Sequence, residues 1–390
     1  MFELQDLTEL LELPRRDVLT VCLDVDPTKP EHQRPEPAWR IWLRQALHET
    51  IEQVPKDRRR TAQEAADRVL SHLRDGRPQG RGLALFTAPD LWREYALPIP
   101  LPNLVRFGRP DLWPLLWAAD EYQPHAILIV HRDHARILLA YLGTATVIEE
   151  DVLELDTTNW RFASGRPPTF VGRTGTAATR GAQRDTFEAR VDDHLRRFWA
   201  GVAAAAARLL EERRIERLVI GGPEEAAYGT RDQLPEAAAK RLVAVVPLPS
   251  PLEDWPRIRD RILAAAREAE RRREAEVVQD LLERSATGGG VLGLGPTLDA
   301  LVRQQVQLVA AEHDLEAQVW ECVACGFVAL DPESACGVCG GAMESAWLTQ
   351  VLPALVHRNR ASLELVGQEA GLGPHGRIGA LLRYTVSTEG

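Results

Sequence analysis

Four cysteines toward the C-terminal end are spaced for metal chemistry. They lie in "WECVACGFVALDPESACGVCGG" as Cys322-x2-Cys325 and Cys336-x2-Cys339, and a glycine follows each pair. Two such knuckles let four thiolates converge tetrahedrally on one ion, and the glycines let each knuckle turn back on itself. Zinc suits four sulfur ligands and needs no redox partner. Four protein ligands leave no open coordination position, so the expected role is structural. Disulfides are the alternative reading. A cytoplasmic setting and the close match between the knuckles argue against them. The fifth cysteine, Cys22, stands in the apolar run "VLTVCLDVD" and reads as a buried strand residue.

A second stretch, "ATRGAQRDTF", places Gly181, Ala182 and Gln183 between Arg180 and Arg184, with Arg173 a little upstream. Residues 156–179 show no hydrophobic period. From Arg184 onward Phe187, Val191, Leu195, Phe198 and Val202 recur every three or four residues, as on one face of a helix. The tripeptide is therefore expected at a loop tip immediately before that helix. The stretch from Arg161 to Arg197 is net positive inside a chain of net charge −10. A solvated helix face with i,i+4 pairs is one reading, and contact with RNA phosphates is the other. Other catalytic signatures are missing. "TGGGVLGLG" lacks the Lys-Ser/Thr of a phosphate-binding loop, and neither GxSxG nor HExxH occurs. His131 and His134 read as part of an ordinary turn between strands.

The elements around these motifs alternate between strand and helix patterns. Strand-like runs are expected at Val18–Val25 and in "GLALFTA", and helices at Ala38–Gln53 and Thr61–Leu73. "HAILIVHRDHARILLAYLGTATVIEEDVLEL" gives three β-rich runs with short breaks. "RLVIGG" and "RLVAVVPL" read as strands after the long central helix, and a second long, charged helix spans about Arg257–Arg284. "VQLVAAE", "ASLELV" and "IGALLRYTV" read as strands near the end, with Pro296 placed to start a helix. The class is α/β, organised as three mixed α/β domains over residues 1–122, 123–247 and 248–390, joined by small interfaces. The cysteines form a mini-domain inserted at about 318–347.

Composition sets outer bounds. A chain of 390 residues with 45% hydrophobic and 27% charged residues is ordinary for a soluble globular protein. The acidic balance argues against a general nucleic-acid coat and leaves local basic surfaces open. "MFELQDLTELLE" has acids where a signal peptide needs a basic start, so a cytoplasmic location without membrane partners is expected.

The order of these features resembles that of the archaeal and eukaryotic class-1 peptide release factors, over about Pro124 to Val386. "RGAQRDTF" stands where that family has a Gly-Gly-Gln loop, immediately before a helix. "RLVIGGPEEAAYGTRDQL" is similar to the family's strand and glycine turn after it. "TGGGVLGLGPTLDALVRQQVQLVAAEHD" and "GRIGALLRYTV" resemble the loop, helix and strands of its third, L7Ae-like domain, where a zinc ribbon is inserted. The chain looks most like the bacterial branch of that superfamily, a branch that includes a ribosome hibernation factor.

The resemblance implies a ribosome-binding factor that occupies the A site with the tripeptide directed toward the peptidyl transferase centre. Two departures shape the expected activity. The second glycine of the loop is Ala182, whose Cβ excludes much of the φ > 0 space open to glycine. The stop-codon-reading strings Asn-Ile-Lys-Ser and Tyr-x-Cys are absent from the N-terminal third, although "KDRRR" (Lys56 to Arg60) can meet rRNA phosphates. The expectation is inhibition of translation without efficient hydrolysis. The alternative is an active peptidyl-tRNA hydrolase acting in release or rescue, and a third reading is an RNA-binding adaptor unrelated to the ribosome. By the same resemblance, Arg180, Arg184 and Arg173 meet rRNA or P-site tRNA, and a translational GTPase such as elongation factor Tu is a partner.

Overall fold

The computed structural model describes the chain apart from residues 1–3, 14, 75, 77, 133, 142–143, 155–177, 249–254, 332–334 and 385–390; of residues 4–6, 144–154, 178–191 and 255–256 it describes the backbone alone. The chain forms two compact units. A composite unit combines Met1–Tyr122 with Glu270–Gly390, and a middle unit spans Gln123–Ala269.

The composite unit opens with α1 (Leu4–Glu12) and a sheet of β1 (Val18–Asp24), β2 (Gly82–Ala88), β3 (Leu91–Leu97) and β4 (Leu104–Gly108). Its order is β3-β2-β1-β4, antiparallel throughout. The nearly continuous apolar runs of β1 and β2 are buried along almost their whole length, as central strands require. Strand β3 lies at the edge and exposes Arg93 and Glu94. Helices α2 (Ala38–Gln53) and α3 (Arg59–His72) join Leu19, Val21 and Leu23 of β1 in one core. On α2, Leu43, Leu47 and Ile51 recur every four residues; on α3, Ala62, Ala65 and Ala66 are small enough for close approach to the sheet. Helix α4 (Trp113–Glu121) follows.

The middle unit is one mixed sheet of β5 (His125–Val130), β6 (His134–Tyr141), β7 (Thr144–Glu154), β8 (Leu218–Gly222) and β9 (Leu242–Pro247), in the order β7-β6-β5-β8-β9. Strands β5 to β7 form an antiparallel meander, and β8 and β9 run parallel to β5. The alternation of "HAILIV" decides which helix covers which face. Ala126, Leu128 and Val130 share a core with Leu195, Phe198 and Val202 of α5 (Ala178–Glu212). Ile127 and Ile129 share one with Ile258, Ile262 and Ala266 of a later helix (Trp255–Ser285). The short α6 (Glu224–Arg231) and α7 (Glu236–Ala239) complete the first face, and the Trp255–Ser285 helix is α8. Gly222, at φ 157°, ends β8 where an added Cβ would lie 2.1 Å from the Val130 carbonyl oxygen. The double glycine of "RLVIGG" thus has a steric cause.

Helix α8 leads back to the composite unit, where Val278 and Leu281 enter another core. A four-stranded sheet follows, built from β10 (Gly290–Leu292), β11 (Val306–Glu312), β15 (Ser362–Val366) and β16 (Ile378–Leu382), in the order β10-β16-β11-β15. Helices α9 (Leu294–Val302) and α10 (Leu348–Arg358) belong to the same part of the chain. Between them, β12 (Gln318–Cys322), β13 (Val328–Ala329) and β14 (Met343–Trp347) form a small antiparallel sheet, β13-β12-β14, that carries the cysteines.

The three-domain reading and the observed grouping differ in two respects: the first 122 residues share a compact unit with the C-terminal residues, and the middle unit runs on to Ala269, within α8, past the expected boundary at 247/248. The expected small interface between these parts gives way to a buried, hydrogen-bonded one. Trp113 of α4 lies in the core of Leu298, Val309, Leu348 and Leu352, and its indole Nε1 donates to the His313 carbonyl at 2.7 Å. The buried Asp111 carboxylate accepts from Thr349 Oγ1 at 2.7 Å and from the Trp113 amide at 3.1 Å. Arg109 holds Glu321 through two bonds, of 2.9 and 2.7 Å, and Gln350 Nε2 donates to the Arg109 carbonyl at 2.8 Å. Burial sets the balance at Asp111: it raises the carboxyl above its ordinary range against these hydrogen bonds.

Candidate functional site

The cysteine site is built by its own backbone. In the first knuckle the Cys322 amide donates to the Phe327 carbonyl at 2.7 Å, and the Gly326 amide returns to the Cys322 carbonyl at 3.0 Å. The second repeats this closure: Cys336 to Gly341 at 2.8 Å and Gly340 to Cys336 at 2.8 Å. Each turn passes through a left-handed glycine, Gly326 at φ 71° and Gly340 at φ 72°. The Val323 amide donates to the Ala342 carbonyl at 2.9 Å and ties the two knuckles together. Spacing identified the four sulfurs in advance but gave no sign of Gly341, where a Cβ would press on Cys322 and Cys339 sulfurs at 3.1 and 3.3 Å.

The four sulfur atoms lie within 4.8 Å of one another, with Cys322 and Cys339 at 3.5 Å and Cys325 and Cys336 at 3.6 Å. A disulfide needs about 2.05 Å, and all four cysteines are free. A tetrahedron of sulfurs about 2.3 Å from a central ion has edges of about 3.8 Å, so the cluster fits one metal ion. Its protonation pattern points the same way. The Cys325 amide, first among several hydrogen bonds, draws Cys322 down to about 6. For Cys325, burial and the neighbouring thiols outweigh the Phe327 amide and push it up to about 12. Cys339 is also raised, its Gly341 amide bond outweighed chiefly by the Cys322 thiol. Crowded thiols resist joint ionisation, and a divalent cation relieves that resistance. The site can therefore hold a metal ion.

The other sequence-identified residues belong to the middle unit. Helix α5 begins at Ala178, ahead of the expected start at Arg184, so the backbone of Arg180, Gly181, Ala182, Gln183 and Arg184 is helical. The side chains of these five residues and all of Arg173 lie outside the described residues. Beyond them, α5 is anchored by Leu195, Phe198, Trp199, Val202 and Ala206. Gly229 of α6 leaves room for Trp199, whose ring would stand 2.4 Å from an added Cβ. His131 and His134 stack with ring centroids 4.0 Å apart, and the His131 amide donates to the His134 carbonyl at 2.7 Å, closing the turn between β5 and β6.

The family model described as bacterial archaeo-eukaryotic release factor family 10 matches residues 110–271. That segment is similar to the release-factor superfamily. No curated protein matches the chain. Among solved structures, the archaeal translation termination factor aRF1 is 17% identical, with 97% of this chain and 96% of that chain covered, at a TM-score of 0.25. The model of ribosome-bound archaeal Pelota with ABCE1 is 14% identical over 78% of each chain, at a TM-score of 0.42. Saccharomyces cerevisiae Dom34, a termination-like factor that interacts with Hbs1, is 10% identical over 78% of this chain and 82% of that one, also at 0.42. Among the described residues no helix is long and apolar enough to cross a membrane.

Proposed function

We propose that this protein is a ribosome-binding translation factor of the hibernation type. In this reading it occupies the A site with Gly181, Ala182 and Gln183 directed toward the peptidyl transferase centre, and it holds translation off without efficient hydrolysis. The observation that carries the reading is Ala182, within the segment matched to the release-factor family. If the position requires a glycine-only conformation on the ribosome, alanine costs on the order of 1 kcal/mol or more. Displacing a reacting geometry by about 1 Å already costs roughly a hundredfold in rate. A segment so placed keeps its RNA contacts and loses its chemistry.

The rest of the reading follows the same resemblance. Arg180, Arg184 and Arg173 contact rRNA or P-site tRNA phosphates, which position the loop without reading sequence. The C-terminal segment meets a translational GTPase such as elongation factor Tu. Cys322, Cys325, Cys336 and Cys339 hold one structural zinc, and the protein works in the cytoplasm.

Peptidyl-tRNA release from loaded ribosomes tests the proposal. The unmodified protein is expected to co-sediment with 70S particles and to release little peptide. Ala182→Gly is expected to leave ribosome binding nearly unchanged and to create or raise release. Fast release by the unmodified protein overturns the reading in favour of an active release or rescue factor. Failure to sediment with ribosomes overturns both and favours the unrelated RNA adaptor.

A further inference from the structure

Two of the four clustered cysteines are exposed, Cys325 and Cys339, and two are buried, Cys322 and Cys336. Metal binding alone has no need of that division. Each exposed sulfur lies against a buried one from the other knuckle, Cys339 against Cys322 at 3.5 Å and Cys325 against Cys336 at 3.6 Å. Both pairs join the first cysteine of one knuckle to the second cysteine of the other. The buried members are held in place: the Cys322 amide donates to the Phe327 carbonyl, and the Cys336 sulfur accepts from the Val338 amide at 3.4 Å. The fifth cysteine, Cys22, is fully buried in β1.

Sulfur that ligates a metal is deprotonated, and the thiolate is the form that attacks an oxidant. Cysteines that oxidise reversibly are accessible and have a second thiol close enough to resolve the first product. The cluster meets both conditions twice. Closing either pair to the about 2.05 Å of a disulfide takes a movement of about 1.5 Å, shared between two side chains. Both closures cross the gap that the Val323 amide already spans to the Ala342 carbonyl.

We propose that the cluster is a site of reversible oxidation by hydrogen peroxide, in which Cys339 and Cys325 react first and Cys322 and Cys336 resolve them. The Cys339 thiolate attacks one peroxide oxygen, the O–O bond breaks and hydroxide leaves, which gives a sulfenic acid. The Cys322 thiolate then attacks the Cys339 sulfur, forms the S–S bond and displaces a second hydroxide. The two sulfurs give up two electrons, and the peroxide takes them. Cys325 and Cys336 repeat the sequence with a second peroxide. Oxidation of all four thiolates leaves no ligand for a bound ion. The two bridges keep β12 and β14 tied after the metal is lost, where simple metal removal does not. A dithiol reverses both bonds by exchange. The inference rests on the cysteine site of the proposed function and not on ribosome binding.

The test treats the full-length protein with hydrogen peroxide and follows titratable thiols, released zinc, amide exchange and non-reduced peptide maps. Thiols are expected to fall from the five of the sequence to one, with Cys22 the survivor, and zinc to leave in step. Digestion at Asp331 or Glu333, between the knuckles, is expected to leave the two halves joined, and fragmentation to pair Cys322 with Cys339 and Cys325 with Cys336. Exchange in β12 and β14 should rise less than after chelation, and dithiothreitol with zinc should restore thiols and metal together. Cys336→Ser removes the resolving partner of Cys325, which should then be trapped as a sulfenic acid that dimedone labels. If that variant does not fold, the maps of the unmodified protein still decide. Bridges within one knuckle, loss of the Cys22 thiol at the same rate, oxidation that dithiothreitol cannot reverse, or five thiols surviving excess peroxide overturns the proposal. Protein that carries no zinc and still oxidises with this pairing supports it and defeats the metal reading alone.

Discussion

In the middle unit both faces of the sheet are covered by apolar side chains from two long helices, Phe198 and Trp199 among them. The composite unit closes instead over buried acids. Glu321 is held by Arg16 and Arg109, Glu312 by Arg377, Glu364 by Arg273, and Glu274 by Arg271 together with the Gly367 amide. The difference follows from chain order. The middle unit assembles consecutive elements, and hydrophobic alternation is enough to register them. The composite unit must bring together two stretches separated by the whole middle unit; the pairing of Glu321 with Arg16 and Arg109 joins them, and the other three acids are paired within the C-terminal stretch. A buried ion pair adds little net stability, but losing one partner is costly. One unit should therefore fail through lost partners and the other through lost volume.

Metal removal should separate the units most sharply. Chelation, or Cys322→Ser, is expected to take the zinc content from about one per chain to none and to raise amide exchange throughout β12, β13 and β14. Zinc binding in small thiolate domains is worth about 10–16 kcal/mol. Exchange in β5, β6 and β8 should not change, and mass spectrometry reads both quantities. Simultaneous opening of the middle unit would show that the two share one cooperative transition.

Glu321→Ala comes next. It leaves Arg109 and Arg16 facing a vacated partner position, and the expected cost is about 3–5 kcal/mol. Denaturant unfolding followed by exchange should place that loss in the composite unit alone. A loss below about 1 kcal/mol would mean that the paired charges do not hold its halves together.

The pH response is the smallest effect and the most discriminating. Burial lowers His125 to about 4, against the hydrogen bond that its Nδ1 donates to the Gln123 carbonyl and with Arg217 nearby. A histidine held below its unfolded value contributes stability that is fully present above about pH 6.5 and is lost as pH falls toward 4, at most about 3 kcal/mol. Replacing His125 with Leu should abolish that slope in the middle unit. In the composite unit, the Arg81 guanidinium holds Asp26 well below the usual carboxylate range. Its contribution is present above about pH 4 and is lost only at lower pH. Thermal melts that follow each unit between pH 7 and 3 should therefore show the middle unit weakening first.

Elements whose pattern is local were legible in the sequence. The apolar runs of β1, β2 and β5, the period of α5 from Phe187 to Val202, and the spacing of the four cysteines each reveal themselves within a few residues. Other elements were hidden by their own composition. Strand β3, "LWREYAL", is half-exposed and polar, and α10 carries Pro353 inside it. The joining of the composite unit was hidden for a different reason. Asp111, Glu321 and Thr349 look like solvated residues until partners far along the chain are placed beside them. The same holds for Arg106, paired with Glu316, while Arg58, read within "KDRRR" as able to meet rRNA phosphates, pairs with Glu344. The cysteine cluster was legible because its four members lie in one short segment, whereas the side chains of the Gly181–Gln183 tripeptide lie outside the described residues.

The split origin of the composite unit sets an order on synthesis. The core of α2, α3 and the first sheet uses residues up to Val105, so it can close while the ribosome is still making the middle unit. Asp111 and Trp113 cannot. Thr349 and the C-terminal core that receives the indole emerge after more than two hundred further residues. At about 5–20 residues per second, that interval is on the order of ten seconds or more. During it the nascent chain displays an acid still lacking its Thr349 donor beside an uncovered tryptophan, which gives chaperones a defined target and a truncated product a defined fault.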